Sequence, residues 1–295
     1  RDDLVITQPL TFVATCNAIS YCSAQPLFVD VDRETLSLSP ESLKDYLDSY
    51  TYLDANNICR LLKDDRVIRA CIVVHSFGHS ARIEEICDVL GSRNIKLVED
   101  AAESLGSFYK GRHTGTFGDC GVVSFNGNKI ITAGAGGIIL TSHERAIQLK
   151  HLTTTAKSPH PYEFYHDLIG FNYRMPNINA ALGIAQFGRL PAFLEFKRSL
   201  AEKYRLLMNE ARLDFLWEPA GSRSNFWLSS VLLKSKEDRD YFLMKTNSLG
   251  IMTRPCWALM NDLPMYGRSV SGNLSNARSL SERLVSLPSS AALNV

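Results

Sequence analysis

The sequence predicts an α/β fold: a largely parallel sheet with helices between its strands, followed by a smaller α+β unit. Three observations carry that reading. Short apolar runs and helix-period segments alternate through the first half of the chain, which is the pattern of βαβ units. The run at 67–74 is apolar and β-branched without helical period, so it reads as a buried strand. Beyond Pro176 the texture changes to long helical sequence, dividing the chain into units at 1–176 and 177–295.

The elements follow in order. Residues 4–7 read as a strand, 14–23 as a short helix and 26–30 as a strand ending in an acid. Ser39-Pro40-Glu41 opens a helix, with Ser as N-cap, Pro at the first helical position and an acid in the first turn. Within 81–90, Ile83, Ile86, Val89 and Leu90 share one helix face. Strands follow at 95–99, 121–125 and 138–141. Residues 177–211 are helical, interrupted or kinked at Pro191. A strand at 226–233 precedes Ser235-Lys236-Glu237-Asp238, a capping signal for a helix at 241–249. Residues 275–287 read as a last amphipathic helix.

Composition excludes several classes. The 295 residues are 45% apolar and 21% charged, an ordinary globular balance. A net charge of +1 gives no field that would gather nucleic acid or anionic lipid. No apolar run approaches the length of a membrane span, and Arg1-Asp2-Asp3 is no signal peptide. The seven cysteines are scattered and form no C-x-x-C pair; beside apolar neighbours, as at Ala70-Cys71-Ile72, they read as reduced core thiols of a cytoplasmic protein. The histidines are too dispersed for a metal site, and no metal is expected.

Chemistry concentrates on one stretch. Glu99-Asp100-Ala101-Ala102-Glu103 stands at the carboxyl end of an apolar strand, the usual mouth of an α/β site. Ser124-Phe125-Asn126-Gly127-Asn128-Lys129 follows a second strand, near the small-residue turn Gly134-Ala135-Gly136-Gly137 that lets a ligand approach the backbone. Alone, each piece has an ordinary reading as a capping acid, a surface lysine or a turn. Together, a lysine that can form a Schiff base and an aspartate that can face a pyridinium nitrogen are the minimum apparatus for pyridoxal phosphate.

On these residues the chain resembles the DegT/DnrJ/EryC1/StrS family of nucleotide-sugar aminotransferases. Further shared marks are Thr11-Phe12-Val13-Ala14 with Asn17-Ala18, Phe28-Val29-Asp30-Val31-Asp32, Gly118-Asp119, and Gly170-Phe171-Asn172-Tyr173-Arg174-Met175. Fainter echoes occur at Thr253-Arg254-Pro255 and Leu287-Pro288. The resemblance implies a fold-type-I pyridoxal-phosphate aminotransferase, with a three-layer α/β/α large domain at 1–176 and a smaller C-terminal α+β domain at 177–295. Relatives carry a segment ahead of Arg1 whose Gly-Thr-Ala turn and helix amides bind the cofactor phosphate, so a longer natural protein is expected.

The resemblance also implies roles. Lys129 would be joined to the cofactor and shuttle the proton. Asp100 would pair with the pyridine nitrogen, Glu103 would lie near the ring hydroxyl, where many relatives have Gln, and Phe12, preceded by Thr11, would stack on the ring. Ser124 would bind the phosphate, joined by Asn172 from a second subunit, making the working unit a homodimer with shared active sites. Lys157 and Arg174 would meet a nucleotide diphosphate, and Arg254 the sugar. The forms at 124–131 and 151–157 look most like the branch that aminates UDP-4-keto-6-deoxy-N-acetylhexosamines, on the route to bacillosamine or legionaminic acid. Glutamate is the implied donor; nucleic acid and membrane are not expected partners. Two rivals stand beside this reading. A sugar dehydratase of the same scaffold would replace Lys129 with His, and a non-catalytic binding module would not need the Asp100/Ser124/Lys129 set.

Overall fold

The alternation of apolar runs and helices becomes a seven-stranded sheet in the computed structural model, which describes residues 2–291. The strands are Leu4–Thr7 (β1), Gln25–Phe28 (β2), Ile68–Val74 (β3), Lys96–Asp100 (β4), Cys120–Ser124 (β5), Gly137–Thr141 (β6) and Val270–Ser271 (β7). Their spatial order is β6-β5-β4-β3-β1-β2-β7, and every neighbour pair is parallel except β5 with β6. Register sets Val74 opposite Asp100 and Asp100 opposite Val122. The carboxyl ends of β3, β4 and β5 therefore meet at one edge, where α/β sheets build their sites.

Helices Val13–Tyr21 (α1), Pro40–Tyr50 (α2) and Ile83–Gly91 (α3) join the first strands. The Ser39 hydroxyl caps α2, accepting the Ser42 N–H at 3.1 Å. Ile83, Ile86 and Leu90 of α3 and Leu43 and Leu47 of α2 pack on Leu4, Ile6, Leu27, Val73 and Leu97 of the sheet. Burying each such side chain stabilises the fold by about 1.5–3 kcal/mol. Cys16, Cys59, Cys71 and Cys256 are buried as expected, whereas Cys22 is exposed because it lies at the C-cap of α1.

Four later helices follow: His143–Thr153 (α4), Asn177–Glu210 (α5), Lys236–Ser248 (α6) and Ser275–Arg283 (α7). Pro191 does not interrupt α5, which runs as one 34-residue helix. The proline removes one hydrogen bond, and helix-forming Ala and Leu on both sides, with Glu195 and Lys197 beyond it, carry the helix across. A second sheet orders Asp214–Phe215, Ser229–Leu232, Leu284–Leu287 and Arg254–Pro255. Residues 284–287 thus form a strand rather than the end of the last helix: all four are buried, and pairing with Ser229–Leu232 overrides their helical spacing. The strand expected from 226 begins only at Ser229, since Phe226 takes a φ of 47° and leaves Trp227 in the turn.

One link across the expected 176/177 division is strand pairing, of β7 with β2 and of Ser222–Arg223 with Phe108–Tyr109. A second link is electrostatic. Asp30, at the end of β2, is buried and accepts the N–H groups of Asn276 and Ala277 at 2.8 Å each, capping α7. Among the described residues no helix is long and apolar enough to cross a membrane, and no cluster of ligating side chains is placed to hold a metal ion.

Candidate active site

A cleft of about 670 Å³ opens at the carboxyl ends of β3, β4 and β5. Thr11, Phe12, Asp100, Glu103, Ser124 and Lys129 line one side. Trp227, Arg254 and Trp257 face them from the second half of the chain. The fold therefore gathers seven of the ten residues singled out in the sequence.

Asp100 ends β4 with its carboxylate in the cleft. It accepts the Thr15 hydroxyl at 2.8 Å and the Ala102 N–H at 3.1 Å, and Thr15 in turn bonds Thr11 at 3.1 Å. Glu103 is buried in the cleft wall. Its Oε2 accepts the Phe77 N–H at 2.8 Å, and its Oε1 lies 3.9 Å from Lys129 Nζ. Burial pushes the Glu103 carboxyl up to about 7, against the Lys129 charge and the Phe77 N–H, which pull it down. Phe77 delivers that N–H from a left-handed backbone, φ 58°, a conformation costly for a bulky residue and held by the surrounding turn.

The Lys129 side chain is nearly enclosed. Its Nζ lies 4.2 Å from the centre of the Trp227 ring, a cation–π distance. Trp227 is fixed three ways. Its indole N–H donates to the Asn128 carbonyl at 2.7 Å, its backbone N–H donates to Asn225 Oδ1 at 2.7 Å, and its carbonyl accepts the buried Lys197 ammonium at 2.9 Å. Gly78 makes room for Asn225: a Cβ there would stand 1.9 Å from Asn225 Oδ1. Phe12 precedes α1, half exposed, 6.1 Å from the Trp257 ring. The Ser124 hydroxyl accepts the Asn126 N–H at 3.2 Å on the cleft floor.

Three expected residues lie outside this cleft. Lys157 sets its ammonium 3.9 Å from the Phe164 ring centre, in a surface loop. Arg174 lines a separate groove of about 760 Å³ beside β6 and α4. Asn172 is exposed and bridges to Thr154. Within one chain, none of the three meets Lys129, because the segment after α4 folds away over β6.

The residues present fit pyridoxal phosphate. An amine, a carboxylate and a hydroxyl converge on one cleft with an aromatic face at its edge, which are the groups that its aldehyde, ring nitrogen, phosphate and ring require. The sequence profile of the DegT/DnrJ/EryC1/StrS aminotransferase family matches residues 1–295. The chain belongs to this family. A protein similar to it is the GDP-perosamine synthase of Escherichia coli O157:H7, 33% identical over 293 residues, covering 99% of this chain and 75% of that one. The GDP-perosamine synthase of Vibrio cholerae is 31% identical over 298 residues, covering 98% and 75%. In the crystal structure of a DegT DnrJ EryC1 StrS aminotransferase from Brucella abortus, 26% identical, the same fold recurs with a TM-score of 0.87 over 97% of this chain and 74% of that one.

The chain is thus a pyridoxal-phosphate-dependent sugar aminotransferase with the fold-type-I architecture. Both named synthases concern a GDP-sugar, so the narrower expectation of a UDP-linked N-acetylhexosamine finds no support in them.

Thr15, Phe77 and Trp227 take part in the site without having been singled out. Thr15 lies four residues beyond the Thr11 mark, so a helix-spacing argument could have found it. Trp227 was hidden by its place in a run that reads as a strand.

Proposed function

We propose that this chain transfers an amino group from glutamate to the ketone of a 4-keto-6-deoxy nucleotide sugar. One observation carries the reading: Lys129, Asp100 and Ser124 converge in a cleft large enough for a cofactor and part of a sugar nucleotide. Bound pyridoxal phosphate supplies an aldehyde for amine exchange and a ring that accepts electrons from the carbon losing a proton. Asp100, oriented by Thr15 and the Ala102 N–H, holds the ring nitrogen protonated. The Lys129 amine, poised between Glu103 and Trp227, moves the proton to and from the reacting carbon. Ser124 holds the phosphate, Phe12 covers the ring, and Trp227 and Trp257 narrow the water-accessible wall. Donor and acceptor react in turn at one site, so the kinetics are ping-pong.

The similarity to GDP-perosamine synthases favours a GDP-linked acceptor. A UDP-linked acetamido sugar is the second reading, carried by the sequence forms at 124–131 and 151–157. We place the reaction in the cytoplasm and in a homodimer. Two features support the dimer: Asn172 lies outside its own cleft, and Tyr162, Phe164, Ile169 and Tyr173 beside it are exposed, an apolar area large for a free surface. The reading is tested by incubating the full-length enzyme with glutamate and either the GDP- or the UDP-linked 4-keto-6-deoxy sugar. Mass spectrometry should detect an amino sugar and 2-oxoglutarate in equal amounts from one of them. Release of ammonia with loss of a sugar hydroxyl would indicate a dehydratase instead.

A further inference from the structure

Glu99 and Asp100 are neighbours on β4, so their side chains leave opposite faces of the strand. Asp100 enters the cleft. Glu99 goes the other way and is completely buried, yet it is among the most fully bonded acids of the molecule. Its Oε2 accepts the His75 Nε2–H at 3.0 Å and the Gly115 N–H at 2.7 Å. Its Oε1 accepts the N–H groups of Phe117 and Gly118, the latter at 2.7 Å. Four donors on one buried carboxylate keep it ionised: burial alone would raise its carboxyl, but the His75 bond and the Gly118 and Gly115 amides outweigh that and hold it below the usual range.

His75 is equally enclosed, with its side chain fully buried at the end of β3. The Ala81 N–H donates to its Nδ1 at 3.1 Å, which leaves the ring proton on Nε2, facing Glu99. The backbone N–H of His75 donates to the Asp100 carbonyl at 3.1 Å. One residue therefore grips the strand end at Glu99 and at Asp100. The loop that supplies the three amides is packed against β5 with no slack, since a Cβ on Gly121 would stand 1.9 Å from the Gly115 carbonyl oxygen.

We propose that Glu99 and His75 are positioning residues for Asp100, a buried carboxylate–imidazole clamp behind the sheet that fixes where the Asp100 carboxylate stands in the cleft. The proposal rests on the reading of Asp100 as the partner of the cofactor ring nitrogen. The clamp ties β3 through His75 and β4 through Glu99, both of which end at the site, to the loop before β5 through its amides. Among the described residues the Asp100 carboxylate is held by the Thr15 hydroxyl and the Ala102 N–H alone, so the clamp carries much of its placement.

The test uses the full-length holoenzyme reconstituted with cofactor isotope-labelled at the ring nitrogen, whose NMR shift reports ring protonation. Asp100→Asn sets the scale of the change when the partner charge is lost. Glu99→Gln and His75→Asn should each move the signal part of the way in the same direction. Their kcat should fall about tenfold or more while KM for the donor changes little, as expected when a reacting group is misplaced rather than removed. If both variants bind cofactor with the wild-type nitrogen shift and lose only thermal stability, the residues serve the fold alone and the proposal is overturned. If neither variant folds with cofactor, the clamp is a folding element and the proposal is likewise overturned. If Asp100→Asn leaves the shift unchanged, the reading of Asp100 fails first and the clamp falls with it.

Discussion

The Lys129 ammonium stands 4.2 Å from the centre of the Trp227 ring, although 98 positions separate the two residues. The contact joins the first and second halves of the sequence at the amine proposed to engage the cofactor. Trp227 reaches this place because the buried Lys197 ammonium holds its carbonyl and also bonds the Ser289 carbonyl at 2.5 Å on the same cleft wall.

A prediction follows for Trp227→Leu. The indole face and its bond to Asn128 are lost, at an expected expense of about 1–2 kcal/mol in holding the amine. Steady-state kinetics should show kcat reduced about tenfold, with Trp227→Phe falling between the two. Equal kcat in wild type and Trp227→Leu would remove Trp227 from the site.

Asp100→Asn keeps the shape of the side chain and removes its charge. The electron sink weakens in the transition state, and we expect a rate loss of at least about 100-fold, roughly 2.7 kcal/mol. Single-turnover kinetics with glutamate would read this directly. Near-normal turnover would reduce Asp100 to an ordinary strand-end acid.

The buried Glu103 carboxyl makes stability depend on pH. Its native value of about 7 lies above the 4.5 of an exposed glutamate, so between those values the native state holds more proton than the unfolded chain. Stability contributed by this group is therefore present below about pH 4.5 and is lost as pH rises through 7, by an amount of the order of 3 kcal/mol. Urea unfolding of the cofactor-free protein should show Glu103→Gln gaining on wild type as pH rises from about 5 to 8. A constant difference across that range would mean that Glu103 titrates normally.

Asp30→Ala should cost stability without touching the chemistry. It removes the buried cap of α7 and leaves the Asn276 and Ala277 N–H groups unpaired, about 1–3 kcal/mol by urea unfolding, with kcat per folded molecule unchanged.

Much of this molecule is legible in the sequence where residues lie close along the chain. β1 to β6 follow from short apolar runs, and Asp100, Ser124 and Lys129 follow from strand-end positions within one 30-residue stretch. Legibility fails where a contact is long-range. Thr15 reaches Asp100 across 85 positions, and β7 joins β2 through a return that no local period announces. Leu284–Leu287 has spacing that suits a helix and becomes a strand only because Ser229–Leu232 offers a partner. Asn172 is a case of another kind. Its motif is clear, but one chain does not bring it to the cleft; the role proposed for it requires a neighbour.

That dependence is testable by mixing two inactive variants, Lys129→Ala and Asn172→Ala. After subunit exchange, each hybrid dimer would contain one site with both lesions and one with neither, and activity should partly return. An active Asn172→Ala enzyme, or no recovery from two inactive ones, would end the shared-site reading.

The central claim is that Lys129 is the amine that engages the cofactor. The full-length protein loaded with pyridoxal phosphate should be reduced with borohydride, digested and mapped by mass spectrometry. The account predicts the cofactor adduct on Lys129 and none in Lys129→Ala, which should still bind the cofactor without a covalent link. An adduct on any other lysine would contradict it.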